Sequence, residues 1–272
     1  MKHSLTLTLL VSLSLSAVAG PEEDRAAFVQ FFEKRFPGLA VEDHIDGAYA
    51  LDEDKRKQWE ALEAGFPPYE DTVFDGEALW DEGFANGGSY ADCFGGSPAV
   101  KQKYPLWDAL QGVVTLEVAI NNCRQANGEA ALDYLDYDMV ALSAYVAFES
   151  RDELINVDVP DANALAAYEE GKAFYYQRRG QLNFACSSCH LEMAGNKLRS
   201  ERLSAALGHV THWPSYRAKW DEVGPLHKRF MECNDQVKAK AFELQSQEYR
   251  NLEYFLTYMS NGLPLNGPTT RK

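Results

Sequence analysis

The residues with the most explicit chemistry lie in the run Cys186-Ser187-Ser188-Cys189-His190. Two thiols three positions apart, followed at once by an imidazole, have the spacing of a c-type haem attachment site. The thiols add to the haem vinyl groups and the adjacent histidine reaches the iron. A redox Cys-x-x-Cys or half of a zinc site would use the same cysteines. A zinc site wants a second closely spaced pair, and the sequence has none. The expected cofactor is one covalently bound haem c, tethered by Cys186 and Cys189, with His190 as an axial ligand. The residue on the opposite face of the iron then decides the chemistry, and Met231, Cys233, Met259, His209, His212 and His227 are the candidates. Methionine makes a conventional electron carrier of raised potential, whereas a thiolate pushes electron density onto the iron.

The cysteine count bears on that choice. Five are present, at positions 93, 123, 186, 189 and 233. Residues 1–19 combine a basic start (Lys2, His3), an apolar run and Ala17-Val18-Ala19, which reads as a secretory signal peptide too short to span a membrane. No later stretch has the apolar length of a membrane span. The protein is therefore expected in the periplasm, where haem attachment and disulfides are both permitted. Thioethers at Cys186 and Cys189 leave three thiols, most simply one disulfide and one special cysteine. The net charge of −15, more negative still once Lys2 is removed, argues against nucleic acid or an anionic membrane as a partner.

A degenerate repeat says which thiols pair. GKAFY (Gly171–Tyr175) resembles GEALW (Gly76–Trp80), and CSSCH lines up with YADCF (Tyr90–Phe94). Tyr90 then replaces the first haem cysteine, Cys93 keeps the second, and Phe94 replaces the histidine. Downstream, YPLW (Tyr104–Trp107) parallels WPSY (Trp213–Tyr216), Cys123 parallels Cys233, and MVALSAY (Met139–Tyr145) parallels LEYFLTY (Leu252–Tyr258). The fold expected is mainly α, two tandem cytochrome c-like domains, the N-terminal one lacking haem. Cys93 and Cys123 would once have flanked the same haem, and a disulfide between them is the expected replacement. A loop of about 30 residues closed in this way is worth roughly 3–4 kcal/mol.

The elements around these residues follow from local signals. An N-terminal arm is expected over 20–63, the haem-less domain over 64–155 and the haem domain over 156–272, with a linker near Ile155–Asn163. Asp161 is an N-cap, and the following helix carries Leu165, Tyr168 and Tyr175 on one face until Gly180. Ser246 caps the last helix, where Leu252, Phe255, Leu256 and Met259 have helical spacing before Gly262 and Pro264. Val113–Ile120 suits a strand or an apolar helix equally.

Three features favour Cys233 as the second ligand. It is the odd thiol, it is the repeat mate of Cys123 while Met231 aligns with Asn121, and Arg229 lies four residues before it, on the same face of a helix. An arginine beside a thiol lowers its pKa and offers bidentate donors to an oxyanion.

Together, the signal peptide, GGSYADCF and LEVAINNCR in a haem-less first half, then CSSCH and HKRFMECNDQ, resemble the SoxA family over nearly the whole mature chain. These are catalytic c-type cytochrome subunits of SoxAX complexes in bacterial thiosulfate oxidation. The resemblance implies an L-cysteine S-thiosulfotransferase that joins thiosulfate to a cysteine of a SoxYZ-type carrier, in a heterodimer with a small SoxX-type cytochrome c that takes the electrons. It also implies His190 and Cys233 as the axial pair and Arg229 as the thiosulfate-binding residue. Many members hold two haems; this sequence departs from them and resembles the single-haem branch.

Overall fold

Local signals start the helices of this chain. Proline at the first position and Glu22, Glu23 and Asp24 in the first turn begin α1 (Pro21–Arg35), where the helix dipole favours negative charge. The computed structural model describes residues 20–271, so the expected signal peptide lies outside the described residues. After a 3₁₀ run over Glu42–Leu51, the Asp52 carboxylate caps α2 (Glu53–Glu63). Then come α3 (Glu70–Glu82), the single turn α4 (Tyr90–Cys93), and a hairpin of β1 (Leu106–Asp108) with β2 (Gly112–Val114). Helices α5 (Leu116–Ala126), α6 (Tyr137–Glu149) and α7 (Ala162–Tyr176) follow. A π-turn over Ser188–Glu192 carries the attachment motif and leads to the small pair β3 (Lys197–Leu198) and β4 (Glu201–Arg202). A second hairpin, β5 (Ser215–Arg217) with β6 (Glu222–Gly224), precedes α8 (Leu226–Gln236) and α9 (Gln247–Met259). The final strand β7 (Thr269–Arg271) pairs with β5 in parallel.

The two halves repeat one arrangement of helix pair, turn, hairpin and helix. Gly76 of α3 and Gly171 of α7 are the crossing points. A Cβ on Gly76 would stand 2.1 Å from the Ala141 carbonyl oxygen in α6, and one on Gly171 would stand 1.9 Å from that of Asn251 in α9. Only glycine lets the paired helices approach so closely, which is why both repeat words begin with it. The Tyr104–Pro105 and Trp213–Pro214 peptides are both cis. The length difference between the repeats sits at the hairpin tips, where Asp108 pairs with Gly112 but Arg217 pairs with Glu222.

One word match from the sequence is out of register. The glycine crossings place Ala141 and Tyr145 opposite Asn251 and Phe255, so MVALSAY corresponds to Tyr249–Phe255, one helical turn before LEYFLTY. A slip of three residues keeps an apolar face nearly aligned, which is why the words matched. The ambiguous Val113–Ile120 divides: β2 ends at Val114, Thr115 accepts a hydrogen bond from the Val118 N–H, and α5 begins.

The α7 N-cap is as expected, with Asp161 Oδ1 accepting from the N–H groups of Asn163 and Ala164 at 2.8 Å each. The helix stops at Tyr176 rather than Gly180, and Leu165 is exposed while Tyr168 and Tyr175 are buried. Tyr168 and Tyr175 share the buried face with Ala164, Ala167, Gly171 and Phe174, and close packing on α9 puts small residues where Leu165 was expected. In α9 the Ser246 cap and buried Leu252, Phe255, Leu256 and Met259 match the sequence pattern.

Each half builds a core, and the hairpins are exchanged between them: Val113 of β2 is buried in the second core and Val223 of β6 in the first. Around α3, α5 and α6 the core contains Trp80, Tyr90, Phe94, Ile120 and Met139; around α7, α8 and α9 it contains Tyr168, Tyr175, Phe230, Leu252 and Phe255. The arm crosses to the second core, where Phe28 and Phe32 are buried and Phe28 meets Tyr175 edge-on at 6.3 Å.

Candidate functional site

The attachment motif is held from two directions. The loop before it closes by an Arg179 N–H to Phe184 carbonyl hydrogen bond of 3.0 Å, and its Gln181 and Leu182 N–H groups donate to the carbonyls of Lys238 and Val237 beyond the end of α8. Gly180, at φ 69°, is pressed onto that same segment: a Cβ there would stand 2.2 Å from the Val237 carbonyl oxygen. Its role is close approach to α8, not the end of α7. Inside the motif, Ser187 and Ser188 are buried and the Ser188 hydroxyl accepts from the Ala185 N–H, while Cys186, Cys189 and His190 face a partly open side.

Cys186, Cys189 and Cys233 are free thiols, and Cys93 and Cys123 are joined with a Cα–Cα distance of 5.8 Å. The fivefold cysteine set is thus divided as the repeat implies. Burial pushes the Cys186 thiol up to about 12, with the charge of Cys233 adding to the effect, and burial followed by Cys233 also raises Cys189. Cys233 therefore lies within electrostatic reach of both attachment cysteines.

His190 is oriented by the backbone. Its Nδ1 lies 3.0 Å from the Ser204 carbonyl oxygen, an acceptor only, so Nδ1 carries the proton and Nε2 carries the lone pair. Burial, opposed by that hydrogen bond and assisted by the charge of Arg229, lowers its pKa to about 4. The imidazole is accordingly neutral, the form that binds metal. The His209 ring stands edge-on to it at 4.4 Å, with Nε2 2.8 Å from the Ser204 hydroxyl.

Helix α8 presents Arg229, Glu232 and Cys233. The charge of Cys233 is the largest influence on Arg229 and raises its pKa. Arg229 Nη1 donates to Glu232 Oε2 at 2.8 Å, and the other Glu232 oxygen accepts from Lys219. Despite desolvation, the hydrogen bonds from Lys219 and Trp220 and the Arg229 charge hold the Glu232 carboxyl down at about 2. Glu232 and the Ser204 carbonyl escaped the sequence reading. The i, i+3 spacing from Arg229 could have flagged the first; nothing in the residue type marks a backbone acceptor such as the second.

The other candidates for the iron are buried in or packed against the second half. Met259 is 1% exposed in the second core, and Met231 packs against that core. His227 accepts from the Gln245 N–H through Nδ1 and places Nε2 2.9 Å from Glu253. His212 is buried against Trp213. No group of three or more His, Cys, Asp or Glu is placed to hold a bare metal ion among the described residues, so the zinc alternative has no ligand set.

The donor set fits a haem: two unpaired thiols at attachment spacing and a neutral imidazole locked in the right tautomer. Fold and site together define a tandem c-type cytochrome whose first half has lost its attachment residues. The family model of the SoxA/TsdA cytochrome c domain matches residues 75–155 and 170–265. An L-cysteine S-thiosulfotransferase subunit SoxA of Allochromatium vinosum is 54% identical, over 100% of this chain and 99% of that one. The corresponding subunit of Chlorobaculum tepidum is 51% identical over 92% of this chain and 88% of its own. The crystal structure of SoxXA from P. pantotrophus superposes with a TM-score of 0.71 at 28% identity, covering 79% of this chain and 84% of that chain. The chain belongs to the SoxA family.

Proposed function

We propose that the protein is the thiosulfotransferase subunit of a SoxXA-type complex, conjugating thiosulfate to a cysteine of a SoxYZ-type carrier in the periplasm. The observation that carries this is Arg229 and Cys233 one turn apart on α8, with Arg229 in electrostatic reach of His190 and Cys189. A single haem c would be held by Cys186, Cys189 and His190, with Cys233 as its second ligand, and would supply an electron outlet for the oxidation. Arg229 binds the sulfonate end of thiosulfate and leaves the outer sulfur free. Glu232 holds the guanidinium in place and keeps it charged. The new bond joins that outer sulfur to the carrier's cysteine sulfur. The carrier thiol releases its proton, and the two substrates together release two electrons to the partner cytochrome.

The periplasmic placement rests on residues 1–19, and none of the described helices is long and apolar enough to cross a membrane. In the test, Cys233→Met abolishes conjugation and changes the haem EPR spectrum. Arg229→Ala lowers turnover by about 10²–10³-fold, the scale for removing one donor from an oxyanion, with the spectrum retained. Full activity in Cys233→Met, or a His/Met spectrum in the unaltered protein, would sink the proposal.

A further inference from the structure

Arg217 and Arg271 are register partners in the parallel pairing of β5 and β7, so both side chains leave the sheet on one face. Two guanidinium groups side by side repel unless a counter-charge lies between them. Neither forms an ion pair among the described residues, and the Nε of each is buried without a hydrogen-bond partner. Arg271 is 7% exposed; its terminal nitrogens donate to the Thr270 and Ile45 carbonyls, and its guanidinium lies 5.3 Å from the ring centres of Tyr49 and Trp59. Arg217 is half-buried over the Trp220 ring. Burial is the main cause that lowers both to about 10, and arginine at that value stays charged.

The pair borders the site on the Cys233 side through Arg217 and on the Ser204 side through Arg271. Arg179 is the arginine whose charge reaches Cys186, whereas Arg217 interacts with Arg229 and Cys233. On the Cys233 side, Glu232 links Trp220 to Arg229. On the His190 side, a Cβ on Gly47 would stand 3.9 Å from Arg271 Nε and 4.0 Å from Ser204 Cβ, and Ser204 orients His190. The two arginines therefore connect the surroundings of both expected axial residues.

The other half supplies a control. Asp108 of β1 takes the place of Arg217 in the repeat, and its carboxylate accepts from the N–H groups of Leu110 and Gln111 at 2.8 Å each. Where the attachment residues are kept, the position is cationic; where they are lost, it is an acid serving its own turn.

Haem carries its vinyl groups on one edge and two propionate carboxylates on the opposite edge. Attachment through the vinyls turns the propionates away from Cys186 and Cys189. We propose that Arg217 and Arg271 form the propionate-binding site of the bound haem. Charge-assisted hydrogen bonds to a carboxylate complete what a buried, unpaired guanidinium lacks. The depth of Arg271 suits a tethered anion better than thiosulfate, which must enter and leave at every turnover. The inference rests on haem attachment at Cys186, Cys189 and His190 and is independent of the ligand on the other face.

The test compares the haem-loaded full chain with Arg217→Gln and Arg271→Gln by resonance Raman spectroscopy and voltammetry. The propionate bending bands shift in both variants. The haem midpoint moves downward, because a lost cation disfavours the added electron. Arg217→Lys restores the midpoint and leaves the band displaced; if a Gln variant fails to fold, the Lys variants at both positions carry the Raman comparison. Unchanged bands and midpoint overturn the inference. A raised thiosulfate KM with an unaltered haem spectrum also overturns it and makes Arg217 a substrate residue. Wild-type protein whose mass shows no covalent haem would defeat the haem reading itself, a separate result.

Discussion

The two halves of this molecule share a backbone plan and fill its centre differently. In the second half, Cys186, Cys189, His190 and Cys233 border the site. In the first, Tyr90 and Phe94 stand at the corresponding attachment positions with Trp80 packed on both at 5.5 Å, and Cys93 is bonded to Cys123. The same helix pair can thus be completed by a prosthetic group or by aromatic rings and a disulfide. Even the buried polar contact between the hairpin-linked helix and the last helix persists with its chemistry changed. Ser143 donates to Glu117 in the first half, and His227 meets Glu253 in the second. Both halves thus keep a filled centre and a buried polar contact at the same place; the matched cysteines differ in that Cys123 is in a disulfide and Cys233 is free.

That comparison can be broken at matched positions, with urea unfolding as the measure. His227→Ala takes a polar partner from the buried Glu253 carboxylate and should cost about 3 kcal/mol, against about 1–2 kcal/mol for Glu117→Ala, where only a hydroxyl loses its partner. Equal losses would show that the His227–Glu253 contact contributes no more than the hydroxyl contact of the first half. Replacing Cys93 and Cys123 together by serine should cost roughly 3–4 kcal/mol while the haem absorption of the other half is retained. A loss of haem would mean that the first core supports the second through the exchanged hairpins. Gly76→Ala and Gly171→Ala should each cost about 1–3 kcal/mol or more through overpacking, and a harmless result at either would remove that crossing from the repeat. The smallest effect is Asp161→Ala, about 1 kcal/mol from the lost cap, sharpened by Asp161→Asn, which should recover most of it.

Chemistry fixed by spacing was legible in the sequence: the attachment motif, the disulfide partners, Asp161 and Ser246 as caps, and the apolar face of α9. Features fixed by the approach of distant segments were not. Leu165 has the right period for a buried face, yet the close glycine crossing gives that face to Ala164 and Gly171. Gly180 looks like a helix stop and is used for contact with the Val237 carbonyl. The three-residue slip in the last repeat word followed from helical periodicity, which cannot tell one turn from the next. The orientation of His190 depends on a carbonyl whose position is a property of the loop rather than of the serine side chain.

The placement of α1 has a topological cost. Arg35 donates twice to the Ala194 carbonyl just past the attachment motif, and Asp24 accepts from Tyr168 and Lys172 of α7. The first helix among the described residues is thus an outer wall of the second core, with the whole first half strung between them. Without the first half to carry α1 back, the second core would stand unroofed, its aromatic interior open to water, so the first half serves as the strap that returns the wall to its building.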